Sequence, residues 1–152
     1  MAHLLDTGIL LRLADERDPL HPVVDSAVES LIAQREELLI GTQNVAEFWN
    51  VATRPLAANG LELPASAVLT LLETVIEPVC SVLVETDEIY HEFKRLGKKY
   101  EFRGKQAHDA RLVALMRCWG IDKILTLNDR DFLRYEAEGI VAVNPRSLGR
   151  SS

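Results

Sequence analysis

Brief apolar runs alternate along this chain with longer stretches whose apolar residues recur at helical spacing. His3-Leu4-Leu5-Asp6 is too short for a helix and predicts a first strand. Asp6-Thr7 then caps a helix through Ile9, Leu10, Leu11 and Leu13. Asp18-Pro19-Leu20-His21-Pro22 interrupts the pattern, and Val24, Ala27, Val28, Leu31 and Ile32 mark a helix over 23–35. Glu37-Leu38-Leu39-Ile40-Gly41 predicts a second strand. The helix after it carries Glu47, has Thr42 or Asn44 as its cap, and is stopped by Pro55. Asn59-Gly60 marks a turn in the loop over 57–63, and Val68, Leu69, Leu72, Val75 and Ile76 line the next helix. Val79-Cys80-Ser81-Val82-Leu83 predicts a third strand, and Thr86-Asp87-Glu88 opens a helix that reaches residue 98. Ala110, Val113, Ala114 and Cys118 give a further helix its core-facing stripe, ended by Gly120. Lys123-Ile124-Leu125-Thr126 and Gly139-Ile140-Val141-Ala142-Val143 predict the last two strands, the second ended by Asn144-Pro145. Short apolar strands separated by helices indicate an α/β fold with a parallel sheet.

No linker, low-complexity segment or repeat divides the 152 residues, so one domain over 1–147 with a short tail, 148–152, is expected. No apolar run approaches the ~20 residues needed to cross a bilayer. Asp6 also breaks an N-terminal stretch that lacks a basic start, so neither a membrane association nor a signal peptide is expected. Cys80 and Cys118 have no metal-type spacing and read as reduced core residues of a cytoplasmic protein. The formal charge of −6 argues against nonspecific coating of nucleic acid. It leaves a nucleic-acid enzyme open, because bound cations offset a cluster of metal-binding acids.

Such acids are present. Asp6 follows the first apolar run, Glu47 is embedded in Val45-Ala46-Glu47-Phe48-Trp49, and Asp109 opens a helix that otherwise reads as buried. Asn128, Asp129 and Asp131 follow Ile124-Leu125-Thr126-Leu127. A carboxylate in a first helical turn is a good cap, but four acidic segments inside or beside apolar runs ask for a common compensator. A divalent cation is the simplest. In a parallel sheet, ligands gather at the carboxyl ends of the strands near a topological switch point. Asp6 and the Asn128 segment fall there by sequence, whereas spacing alone does not place Asp109. An oxygen-only ligand set suits Mg²⁺ or Mn²⁺.

Leu4-Leu5-Asp6-Thr7, Val45-Ala46-Glu47-Phe48, His108-Asp109-Ala110-Arg111-Leu112 and Leu125-Thr126-Leu127-Asn128-Asp129-Arg130-Asp131-Phe132 resemble, in order, the four signature blocks of PIN-domain ribonucleases. The likeness is greatest to VapC-type toxins of toxin–antitoxin pairs and covers nearly the whole chain. It implies a three-layer α/β/α sandwich with a central, mainly parallel sheet of about five strands. It also implies an Mg²⁺- or Mn²⁺-dependent endoribonuclease, a homodimer, and inhibition by a small antitoxin protein. Asp6, Glu47 and Asp109 match the three best-defined acidic positions and are carried over as catalytic and metal-binding residues. Asn128 stands where many members have Asp and is a candidate metal ligand, while Asp131 matches a frequent fourth acid and is a candidate catalytic residue. Asp129 is expected to face solvent. Thr7 and Thr126 look like hydroxyls that orient the carboxylates.

The implied reaction is metal-assisted phosphodiester hydrolysis leaving 5′-phosphate and 3′-hydroxyl ends, with one ion or two left open. Lys94, Arg95, Lys98, Lys99, Arg103 and Lys105 lie within one basic stretch that leads into Asp109. It reads either as a solvated helix end or as a phosphate-binding lip, with Lys98, Lys99, Arg103, Lys105 and also Arg111 as RNA-binding candidates. Tyr100 and Phe102 are available there for base stacking. His108 is not needed as a base, since a metal-bound water is already activated. Phe48, Trp49 and Trp119 read as core. A phosphatase on a similar sheet would want Asp-x-Asp after the first strand, where this chain has Asp6-Thr7-Gly8. A PIN-domain protein that processes or binds RNA or a partner without acting as a toxin is the alternative that Asn128 leaves open.

Overall fold

The computed structural model describes residues 1–148. Of the expected tail, Leu148 packs against the core, and 149–152 lie outside the described residues. Five strands, β1 (Ala2–Leu5), β2 (Glu37–Ile40), β3 (Ser81–Val82), β4 (Lys123–Leu125) and β5 (Val141–Val143), form one sheet in the order β3-β2-β1-β4-β5. Every pairing is parallel. Strand β1 is central. The chain adds β2 and β3 on one side of it and then crosses back to add β4 and β5 on the other. The switch point therefore lies between β1 and β4, where Leu5 is in register with Leu125.

Alternation within the strands separates two cores. Leu4, Leu39 and Ile124 face one apolar cluster, whereas Leu5, Leu38, Ile40 and Leu125 face the other. The second cluster is covered by α1 (Thr7–Ala14), α2 (His21–Ala33), α3 (Thr42–Thr53) and α4 (Ala65–Leu71), the last continuing through a π turn, Leu72–Ile76. The first is covered by α5 (Glu88–Tyr100), α6 (Gln106–Trp119) and a run of 3-10 turns, Asp129–Glu138. This is the three-layer α/β/α sandwich. Strands buried on both faces need no polar alternation, which is why they read as continuous apolar runs.

Three local expectations change. The third strand is not 79–83 but Ser81–Val82, because the chain keeps helical turns to Ile76 and then turns through Val79 and Cys80. Both residues of β3 are exposed at the sheet edge. Cys80 thus precedes the strand, and burial pushes its thiol up to about 11, consistent with an unreactive residue. Trp119 is 44% exposed rather than core, with its indole N–H donating to the Val84 carbonyl at 2.9 Å. Asp129 is half-buried rather than solvated, and accepts from Asn144 Nδ2 at 3.3 Å.

Candidate active site

Each acidic residue reaches the carboxyl edge of the sheet for a separate local reason. Asp6 ends β1 and caps α1, with its Oδ1 accepting from the Thr7 amide at 2.9 Å. A short polar side chain is favoured at that junction, since it satisfies an amide that has no helical partner. Glu47 lies one turn into α3, which leaves β2 at Gly41. A Cβ at Gly41 would lie 2.6 Å from Leu115 Cδ2, so glycine permits α3 to start in contact with α6. Neither Thr42 nor Asn44 is the N-cap of α3; Gly41 is, and Asn44 Oδ1 reaches back to accept from its amide at 2.9 Å.

Asp109 comes to the same edge because α6 starts there. Gln43, in the first turn of α3, donates through Nε2 to the His108 carbonyl at 2.8 Å and accepts from Arg111 Nη1 at 2.8 Å. These two bonds tie the opening turns of α3 and α6 together. Asp131 hangs from the first of the 3-10 turns after β4, with its amide donating to the Asn128 carbonyl at 3.0 Å.

Hydroxyls hold two of the carboxylates. Thr126 Oγ1 donates to Asp6 Oδ2 at 2.7 Å and accepts from the Asn128 amide at 3.0 Å. Thr7 Oγ1 donates to Glu47 Oε1 at 2.8 Å and accepts from Asn44 Nδ2 at 3.1 Å. Both oxygens of Asp6 therefore carry one donor each and keep room to accept another.

The electrostatics show how closely the acids gather. Burial, and then the neighbouring charges of Asp6, Asp131 and Glu47, push the Asp109 carboxyl up to about 7. Asp6 is also raised, by burial first, against the opposing pull of the Thr126 and Thr7 hydrogen bonds, with Glu47 and Asp131 adding repulsion. Carboxylates so arranged favour either a retained proton or a cation. Among the described residues no three acidic, histidine or cysteine side chains are spaced as a ready-made metal shell. The oxygen donors fit Mg²⁺ or Mn²⁺, because such ions keep several waters and need few direct protein ligands.

Beside Asp109 and Asp131 opens a cavity of about 240 Å³, also lined by Gln106, Arg130, Arg134 and Tyr135. Gln43, Asn44, Arg130, Arg134 and Tyr135 did not stand out in the sequence. For Gln43 and Asn44 a signal existed, since two amides open a helix directly after a buried strand and three or four residues before Glu47.

The basic stretch divides. Lys99 Nζ bonds Glu138 at 2.7 Å, and Arg95 bonds Glu92 at 2.6 Å and also Glu138. Arg111 bonds Glu85 at 2.7 Å. Tyr100 donates to Glu138 at 2.8 Å and packs against Tyr135 at 4.9 Å, while Phe102 packs against Phe93 at 5.1 Å, so these two rings are used internally rather than offered for stacking. Lys98, Arg103 and Lys105 are exposed.

The comparisons with known proteins agree with this architecture. A family model described as PIN domain matches residues 3–138. Ribonuclease VapC48 of Mycobacterium tuberculosis (strain CDC 1551 / Oshkosh) is 26% identical over 136 residues, spanning 90% of this chain and 93% of that protein. Among solved structures, FitAB bound to an IR36 DNA fragment aligns with a TM-score of 0.68 at 18% identity, covering 100% of both chains. Mycobacterium tuberculosis VapC20, described as a sarcin-ricin loop cleaving toxin, aligns at 0.62 with 17% identity, over 94% of this chain and 98% of that one. VapBC2 from Rickettsia felis aligns at 0.65 with 13% identity, over 95% and 98%. At such identities the structural likenesses speak for the fold. With the family model spanning most of its length, the chain belongs to the PIN-domain family.

Proposed function

We propose that this protein is an Mg²⁺- or Mn²⁺-dependent endoribonuclease and the toxin half of a VapBC-type pair. The observation that carries the reading is the convergence of Asp6, Glu47, Asp109 and Asp131 from four separate elements, strong enough to push Asp109 to about 7. Its relative VapC48 is named a ribonuclease, and the structures it resembles include toxin–antitoxin complexes. These support an antitoxin partner, a homodimer and a cytoplasmic setting as parts of the same proposal.

Asp6 and Asp109 would hold the cation, with Glu47, Asn128 or Asp131 contributing directly or through water. When bound, the ion supplies an activated water and offsets charge on the scissile phosphate. The protein's own share is orientation. Thr126 and Thr7 fix Asp6 and Glu47 before any ligand arrives, and Asp109 must give up its proton to act as a ligand.

Hydrolysis by a metal-activated water leaves the 2′-hydroxyl out of the reaction. RNA cut in Mn²⁺ should therefore carry 5′-phosphate ends that accept an RNA adapter directly. Products with 2′,3′-cyclic phosphates and 5′-hydroxyls would overturn this mechanism.

A further inference from the structure

An acidic site must still draw in a polyanion, and the cations closest to it in the fold are not those of the basic stretch. Arg95, Lys99 and Arg111 are neutralised by Glu92, Glu138 and Glu85. Arg130 and Arg134 line the cavity of about 240 Å³ that also contains Asp109 and Asp131. Both are exposed, and neither has a carboxylate partner among the described residues. Arg134 is preorganised: its Nη2 donates to the Tyr100 carbonyl at 2.7 Å, and its guanidinium lies 5.9 Å from the Tyr100 ring and 5.8 Å from that of Tyr135. A guanidinium held by stacking loses little freedom when it meets an oxyanion. Tyr135, another wall of the cavity, is fully buried, and its hydroxyl has no hydrogen-bond partner among the described residues.

Resting on the ribonuclease reading above, we propose that Arg130 and Arg134 form a phosphate subsite for the nucleotide next to the scissile bond. The spacing from the acids suits this role. Both arginines sit on the same run of 3-10 turns as Asp131, so the element that brings the fourth carboxylate also brings the charge that admits the strand. Gln106, with its Oε1 accepting from the Arg103 amide at 2.9 Å, forms the opposite wall on α6. A strand entering here would pass from the arginines over Asp131 and Asp109 towards Asp6.

The test uses the full chain with Arg130→Gln and Arg134→Gln, singly and together, and Arg17→Gln as a control for lost charge. Arg17 is suitable because it is on the α1–α2 connection, with its side chain 85% exposed. Steady-state cleavage of a single-stranded RNA oligonucleotide in Mn²⁺ should show KM raised roughly 10- to 100-fold in the double variant, with kcat within about threefold. Anisotropy with the same labelled RNA, without metal, should show a salt slope reduced by about 1.4 for two lost phosphate contacts. The Arg17→Gln control should change neither. Unchanged KM and salt slope in a folded double variant would overturn the subsite, as would a fall in kcat alone. An acidic peptide as the true occupant would appear as this null result with RNA. Should the wild-type protein bind RNA but cut none, the ribonuclease reading fails while the binding data still decide the subsite.

Discussion

Asp109 sits where burial and three other carboxylates all disfavour its charge. A carboxyl raised above its unfolded value destabilises the folded protein once the pH exceeds that unfolded value. The metal-free protein is thus strained at the very position that a cation would relieve. Asp109→Asn should melt about 2–4 °C higher than wild type in EDTA, reflecting on the order of 1 kcal/mol. The same variant should lose the rise in melting temperature that Mn²⁺ gives the wild type. A lower melting point in EDTA would show that repulsion at Asp109 is not the dominant effect. Glu138 has the opposite character. Its side chain is 4% exposed, and the Arg95, Lys99 and Tyr100 donors hold its carboxyl at about 2, well below the ordinary 4.5. A depressed acid stabilises fully above its unfolded value and loses that contribution as the pH falls through the folded one. Stability should therefore decline between pH 4.5 and about 2. The contribution is about 2 kcal/mol once solvent screening of the half-exposed cations is allowed for. Urea melts of Glu138→Gln against wild type should differ at pH 7 and converge near pH 2. A constant difference would assign the effect to packing.

Elements carry the site by where they begin. α1, α3 and α6 all open at the carboxyl edge of the sheet, and each opening turn holds a polar residue that bonds across to a neighbour. Gly41 is the tightest point, with Leu115 against it. Gly41→Ala should cost about 1–2 kcal/mol through overpacking, and should lower cleavage more than its stability loss explains by shifting Gln43 and Glu47. Chemical denaturation and kcat measured on one preparation check both; full activity would mean that Leu115 alone moves aside. Much of this arrangement was legible. Asp6-Thr7 reads directly as a strand end and a cap, and the acids stand out because they interrupt apolar runs. The 3-10 run, Asp129–Glu138, was not legible at a helical period of 3.6. Its buried residues are Phe132, Tyr135 and Glu138, which recur at every third position, the repeat of a 3-10 turn. The third of them is an acid, so apolar patterning alone conceals the element that holds Asp131, Arg130 and Arg134. The third strand misled for a related reason. Val79 to Leu83 is an apolar stretch, yet its paired part lies at an edge, where apolar content reports little about burial.

At the scale of the whole molecule, strand order does the gathering. Because β4 returns to the far side of β1, Asp6 and the Thr126–Asn128 turn become neighbours across 120 residues of chain, joined by the Thr126 hydroxyl. Surface charge follows the same logic: a chain of net charge −6 keeps several of its cations in internal ion pairs and leaves two arginines beside the acids. The central claim is that these acids form a metal-dependent nuclease site, and cleavage of a mixed RNA pool tests it most directly. Wild type and Asp109→Asn would each be assayed in Mn²⁺ and in EDTA. Cutting by the wild type in Mn²⁺ alone, reduced at least about 100-fold in Asp109→Asn, is the result expected of a lost metal ligand. Equal cutting by the variant, or cutting that persists in EDTA, would contradict the account.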